Sequence, residues 1–348
     1  VQERTAGSAP VSGVTSATAS ASAAVAVPGA PPKANPTLFG ELASPNEPYF
    51  GDERRMGFSE KDDYLGYEIS RCDACRTEFH FTSPTEPALD FGYFNDMGNP
   101  NAPGAKQQNA DVERKLRMLD VHEGNWRKLR GPFPYPDLVF ATATDRNDVQ
   151  GKVSLLFGAH VVGYAPVFPI RVEVGPSPMF GTPMMPSEQA RVAALPPDER
   201  AKELRAWTNQ WLLNDPGVAY ANVTHDGSDV GVVAVATGSM WLEMGAVARM
   251  SAKAFAGQVY NDTAMRFHHE SKFARAAELF EQAEAADPGA SLFSYNLACA
   301  YARSKDVRAR DALARAIQKD GEPIKSRARA DKDFAEVSGE AWFTVLVR

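Results

Sequence analysis

The chain has 348 residues, room for two compact domains and a tail at roughly 150 residues per domain. A net charge of -7, with Lys and Arg scattered among acids, leaves no basic face to neutralise phosphates, so nucleic acid is not an expected partner. Apolar content of 44% and charged content of 23% suit a soluble globular protein, and no apolar run reaches the roughly 18 residues of a membrane span.

Residues 1–36 are rich in Ala, Ser, Val, Thr, Pro and Gly, lack aromatics, and carry only Glu3, Arg4 and Lys33 as charges. Such a stretch buries too little apolar surface to offset chain entropy and reads as a disordered linker. Its Ser-rich, acid-poor character, opening on Val1 rather than Met, also fits a processed targeting remnant. The matching compartments are an organelle lumen (plastid or mitochondrion) or a bacterial soluble compartment.

From Thr37 to about Asp111, Pro, Gly and Asn punctuate a series of aromatics: Phe39, Tyr49, Phe50, Phe58, Tyr64 and Tyr67. That pattern predicts an extended arm anchored by rings, with a short strand at Tyr67-Glu-Ile-Ser70 and a loop at residues 98–104. Val112, Leu116 and Leu119 recur at helical spacing, predicting a helix from Asp111 to Leu129 before Gly131-Pro132. Leu138–Thr142 and Val153–Phe157 flank the polar turn Asp145-Arg-Asn-Asp148 and read as a hairpin. Val161–Tyr164 and Ile170–Val174 continue the β character.

Met184 to Asn214 reads as helix interrupted at Pro196-Pro197. The buried stripe falls on Ala201, Leu204, Trp207 or Thr208, and Trp211, and Asp215-Pro-Gly217 is the expected stop. Val218–Thr224 and Val230–Ala236, joined by His225-Asp-Gly-Ser-Asp229, make the clearest hairpin. Residues 37–250 are thus expected to form an α+β domain with antiparallel hairpins.

From about Ser251 the pattern becomes helical throughout. Tyr260, Ala264, Phe267, Ala276, Phe280, Ala283 and Pro288 recur at fixed spacing. Small residues at Ala264 and Ala276 let two helices cross closely, Phe267 and Phe280 fill the space between them, and Pro288 ends the second helix. About 34 residues later the pattern returns as Asn296-Leu-Ala-Cys-Ala-Tyr301, Ala309, Leu313 and Ala316. The tail from Ile324 to Phe334, with Trp342-Phe343, follows. Residues 255–346 resemble the tetratricopeptide repeat (TPR) with its C-terminal capping unit. The resemblance implies an all-α domain over 251–348, packed on the preceding domain at its Ser251 end. It also implies a groove lined by the first helix of each repeat.

By position, that groove takes Gln258, Asn261, Met265, His268, His269, Leu292, Tyr295, Asn296, Cys299 and Arg303. Repeats that clamp a C-terminal carboxylate place Lys and Asn where this chain has Asn261 and Met265, so an extended protein or peptide segment, or a neighbouring subunit, is the better fit. The function implied is a non-enzymatic adaptor, assembly factor or accessory subunit of a larger complex.

A second class rests on Arg71-Cys-Asp-Ala-Cys-Arg76. Cys72 and Cys75 have the spacing of two zinc ligands, with His80 as a third, and zinc is the one cofactor considered. The same pair suits thiol–disulfide exchange, since Arg71 and Arg76 favour the thiolate, or is chemically inert. His268-His269-Glu270 reads as a surface turn between helices, and His225-Asp226 as hairpin-turn residues. Gly238-Ser239 lacks the hydrolase elbow, and the sequence holds neither a phosphate-binding loop nor a dinucleotide fingerprint.

Overall fold

The computed structural model describes residues 37–38, 56–59, 61–71, 76–93, 104–119, 133–147, 152–174, 186–209, 213–238 and 243–348. In chain order the strands and helices are β1 (Thr37–Leu38), β2 (Met56–Phe58), β3 (Leu65–Arg71), β4 (Arg76–Thr82), β5 (Leu89–Gly92) and α1 (Ala105–Met118). Next come β6 (Leu138–Asn147), β7 (Lys152–Val161), β8 (Val167–Val174), α2 (Pro186–Ala193), α3 (Pro197–Asn209), β9 (Leu213–Val223), β10 (Asp229–Gly238) and β11 (Glu243–Ser251). The helical part is α4 (Ala252–His269), α5 (Phe273–Ala286), α6 (Ser291–Arg303), α7 (Ala309–Ala330), a 3-10 turn at Lys332–Phe334 and α8 (Ala341–Leu346).

The strands make three antiparallel sheets, ordered β1-β6-β7-β8, β11-β10-β9 and β2-β3-β4-β5. The residues of β10 explain how they stack. Its even-numbered side chains, Val230, Val232, Ala234 and Ala236, belong to the core shared with β6–β8 and the helices. Its odd ones, Val233 and Val235, pack with Phe58, Leu65 and Ile69 of β2 and β3. A strand apolar on both faces must be covered twice. At Gly231, on that odd-numbered face, a Cβ would stand 2.7 Å from the Phe58 ring, so the second sheet closes down on bare backbone. Across this interface Tyr67 also donates its O–H to the Gly245 carbonyl at 2.7 Å.

The described residues between 56 and 92 thus carry the four-stranded sheet β2 to β5, where the Pro- and Gly-rich pattern predicted an extended arm. Their strands are short, and their rings do serve as anchors. On the outer face of that sheet Phe79 and Phe81 pack against Val112, Leu116 and Leu119 of α1, the three positions expected to be buried. The helix begins at Ala105, earlier than Asp111, and Met118 is its last residue; 120–129 lie outside the described residues.

The β6–β7 pairing runs to Asn147↔Lys152, so Asp145 belongs to a strand rather than a turn; Arg171 of β8 holds it there at 2.7 Å. Val161 ends β7, and Gly163 and Tyr164 form a turn instead of more strand. Asp215-Pro-Gly217 lies within β9, not at a helix end, where the register against β10 shifts near Ala236. The break at Pro196-Pro197 is as expected, with α3 opening on Asp198 and Glu199. Ala201 and Leu204 are half-buried, while Trp207, Thr208 and Trp211 have no described side chains. The third strand of this sheet, β11, follows no pattern seen in the sequence.

Ser251 ends β11 and caps α4, its hydroxyl accepting from the Ala254 amide at 3.3 Å. Helix α4 packs its Phe255 among Phe133, Phe140 and Phe157, at ring separations from 5.7 to 6.0 Å. Tyr260 donates to Asp137 at 2.6 Å, and Arg266 donates to the Ala165 and Pro166 carbonyls. One hydrophobic cluster runs from Leu138 to Val347. The boundary placed at 250/251 is thus a change of secondary structure within a shared core, with α4 as the join.

Successive helices α4 to α7 pack against one another, and Ala264, Ala276, Phe280, Ala283, Leu313 and Ala316 are fully buried. In α7 the helix breaks at Asp320-Gly321, where Gly321 has φ 50° and ψ -128°, a conformation that favours glycine; Pro323 then opens the second half. An α+β region followed by packed helices is the architecture of the described residues, and none of their helices is long and apolar enough to cross a membrane.

Glu284 on α5 ties three helices together. It accepts from Arg315 at 2.9 and 2.8 Å, from Lys319 at 3.3 Å and from the Ser294 hydroxyl. Burial opposes its charge, but these donors prevail and hold the carboxyl down to about 2 from an ordinary 4.5. A depressed carboxylate stabilises the fold above its unfolded pKa, and that contribution fades as pH falls from about 4.5 toward 2. The urea midpoint should decline across this window in the native chain and much less in Glu284→Gln, as denaturation curves taken from pH 6 to 2 would record.

Candidate functional site

A cavity of about 610 Å³ lies between α4, α6 and the end of α7. Met265, His268 and His269 line it from α4, and Tyr295, Asn296 and Cys299 from α6. Its other wall comes from the end of α7 and the turn beyond: Arg327, Ala330, Asp331, Lys332 and Asp333. The sequence marked that segment as a cap without indicating that it folds back over the groove.

The remaining expected groove residues do other work. Gln258 and Asn261 both donate to Asp262, at 2.6 and 3.1 Å, while Asn261 accepts from Asn296 at 2.7 Å. This chain of amides links α4 to α6. Burial raises the Asp262 carboxyl above its ordinary value, although Asn261, Gln258 and Arg266 act in the opposite direction. Leu292 is half-buried against the core. Arg303 lies over the Phe273 ring and 3.8 Å from Asp333.

The floor of the cavity is a polar cluster. Tyr295 donates to Asp331 Oδ2 at 2.7 Å, and the Cys299 thiol faces the same oxygen at 3.9 Å. Asp331 Oδ1 caps the 3-10 turn through the Asp333 amide at 3.0 Å. Asp333 Oδ2 stands 3.2 Å from His268 Nε2. Phe334 completes the turn by packing on Tyr295 and Phe343. Burial, followed by the charges of Asp331 and Asp333, pushes the Cys299 thiol well above its ordinary range. The Tyr295 hydroxyl is raised by burial first, then by its neighbours Cys299 and Asp331.

The chain's own residues therefore close one side of the groove while the cavity stays open. His269 and Lys332 are exposed at its edge, and Met265 is half-buried. A pocket of this size suits a few side chains of a bound segment. His268 and His269 do lie at the α4–α5 junction, where Ser271 takes a positive φ of 60°.

Cys72 and Cys75 lie outside the described residues. Strands β3 and β4 pair as far as Arg71↔Arg76 on either side of them. His80, the third ligand considered, sits mid-strand with Nδ1 at 2.7 Å from Asp90 and Nε2 at 3.5 Å from Glu78. It is four residues into β4, roughly 13 Å along the strand from Arg76. Burial disfavours charging this imidazole, but Glu78 and Asp90 more than compensate, and its pKa is raised. Its two nitrogens serve ion pairs on β4 and β5. His225-Asp226 occupies the β9–β10 turn as expected: Asp226 accepts from Thr224 and from the Ser228 amide, and Gly227 supplies a φ of 72°.

The chain matches no family profile, no curated protein and no solved structure.

Proposed function

We propose that the chain is a non-enzymatic protein-binding adaptor, assembly factor or accessory subunit, and that its helical part is a TPR-like array. In this reading a short extended segment of a partner polypeptide enters the cavity between α4, α6 and the turn after α7. The observation that carries it is the 610 Å³ cavity, lined by Met265, His268, His269, Tyr295, Asn296 and Cys299, six of the residues expected from repeat spacing. Support also comes from the full burial of Ala264, Ala276, Phe280 and Ala283 where close helix crossings need small or flat side chains. Mixed apolar walls and a charged rim suit recognition of side chains along a segment better than capture of one terminal carboxylate.

A photo-crosslinking residue at position 269 should capture a discrete partner. Adding Met265→Trp, which fills the cavity, should cut its recovery at least tenfold, about 1.4 kcal/mol in binding. Undiminished recovery with the cavity filled, or no crosslinked partner at all, would refute the proposal.

A further inference from the structure

The carboxylates of the cavity are engaged by the chain itself, whereas two of its cations are not. Asp331 accepts from the Tyr295 hydroxyl at 2.7 Å with one oxygen and from the Asp333 amide at 3.0 Å with the other. Asp333 stands 3.2 Å from His268 Nε2 and 3.8 Å from Arg303. Arg327 is exposed and lies over the Tyr295 ring, 4.4 Å from its centroid. Among the described residues it forms no ion pair, although Arg315 and Arg329 of the same helix each hold a carboxylate. A guanidinium laid on an aromatic face keeps its N–H edges free and loses little freedom when it uses them. Lys332, exposed in the turn after α7, forms no ion pair among the described residues either.

We propose that the segment received by this cavity is acidic. It is an extended stretch of a partner protein that sets an apolar side chain against Met265 and Ala330, with Asp or Glu beside it facing Arg327 and Lys332. This inference rests on the adaptor reading and adds the chemistry of the partner. Arg327 offers a carboxylate two parallel N–H donors, and Lys332 offers a movable point charge. A basic segment meets two like charges there, and a neutral one gains nothing from them. The chain as a whole carries -7, so its average surface repels acidic segments. At physiological ionic strength the Debye length is about 8 Å, and the charges at the rim decide locally. Both cations lie beyond the break at Asp320-Gly321, so the selectivity resides in the segment after that break and not in the helices before it.

The probe is a random peptide library displayed on phage and selected on the full chain, followed by synthetic peptides of the enriched sequences. These should be rich in Asp and Glu around an apolar residue, and Met265→Trp should abolish their binding. Arg327→Glu combined with Lys332→Glu should weaken them about tenfold or more, mainly through slower association. Raising salt from about 0.15 to about 0.5 M should weaken binding to the parent chain in the same direction. Peptides with Lys in place of their acids should bind the double variant better than the parent. Circular dichroism checks that the variants fold; if charge reversal disturbs the fold, Arg327→Gln with Lys332→Gln should still cost about threefold. Selected peptides that need the open cavity but are neutral or basic, or that ignore the charge reversal, would overturn the acidic preference and leave the adaptor reading standing. If no peptide is enriched, or none depends on Met265, both readings fall.

Discussion

Phe255→Ala should lower stability by about 3–5 kcal/mol, the range for losing a large aromatic from a packed interior. Phe255 is fully buried and meets Phe133, Phe140 and Phe157, so it draws rings from two strands and a connecting segment onto the first turns of α4. Its neighbours are themselves in contact, Phe140 with Phe157 at 5.3 Å and with Phe133 at 4.7 Å, which limits how far the site can collapse. Because the cluster joins sheet to helices, unfolding should stay cooperative while the midpoint drops. Urea curves followed by far-UV circular dichroism and by fluorescence would measure this. A loss below about 1 kcal/mol would mean that the sheet and the helices do not share a core.

The second large effect belongs to Gly158→Val. A Cβ at Gly158 would sit 1.8 Å from the Val167 carbonyl oxygen and 2.6 Å from the Phe168 Cα, both backbone atoms that cannot rotate away. This is where β7 and β8 slip register, between Phe157↔Ile170 and Ala159↔Val167, an irregularity that brings β8 down on β7. Any side chain must push the strands apart. We expect a loss of about 3 kcal/mol, at the upper end of overpacking penalties, and a strong fall in soluble yield. Gly163→Ala is the useful contrast. Nothing lies within 4 Å of its added methyl, so only the strain of a φ of 89° applies. Thermal melts of the two variants, compared with the parent, would separate crowding from backbone strain.

The helical half was legible because its constraints are local. Ala264, Phe280 and Ala283 recur at spacings that one turn of helix imposes, and six of the ten residues placed by that register line the cavity. The same locality hid the rest of the site. Asp331, Lys332 and Asp333 lie beyond the break at Asp320-Gly321, and no periodic pattern reports where the chain runs after such a break. In the N-terminal half the hairpin at residues 218–236 was plain from alternation and turn residues. β11 was not, since Glu243–Ser251 has few β-branched residues and relies on pairing with β10 along its length. Strands β2 to β5 were misread for a related reason. Their residues make a sheet only when Val233 and Val235 cover one face and α1 the other, and sequence patterns carry no information about such distant partners.

The two-sided burial of β10 also has a bearing on how the chain is made. Tyr67 meets Gly245 across 178 positions of sequence, so β2 and β3 leave the ribosome long before the layer they rest on exists. At translation rates of roughly 5–20 residues per second, Phe58, Leu65 and Ile69 stay uncovered for about 10–35 s. Helices α4 to α7 emerge after the strands they rest on and pack on one another in chain order, so they face no such delay. The newborn chain thus passes through a period in which an apolar strand face has no layer of its own to cover it.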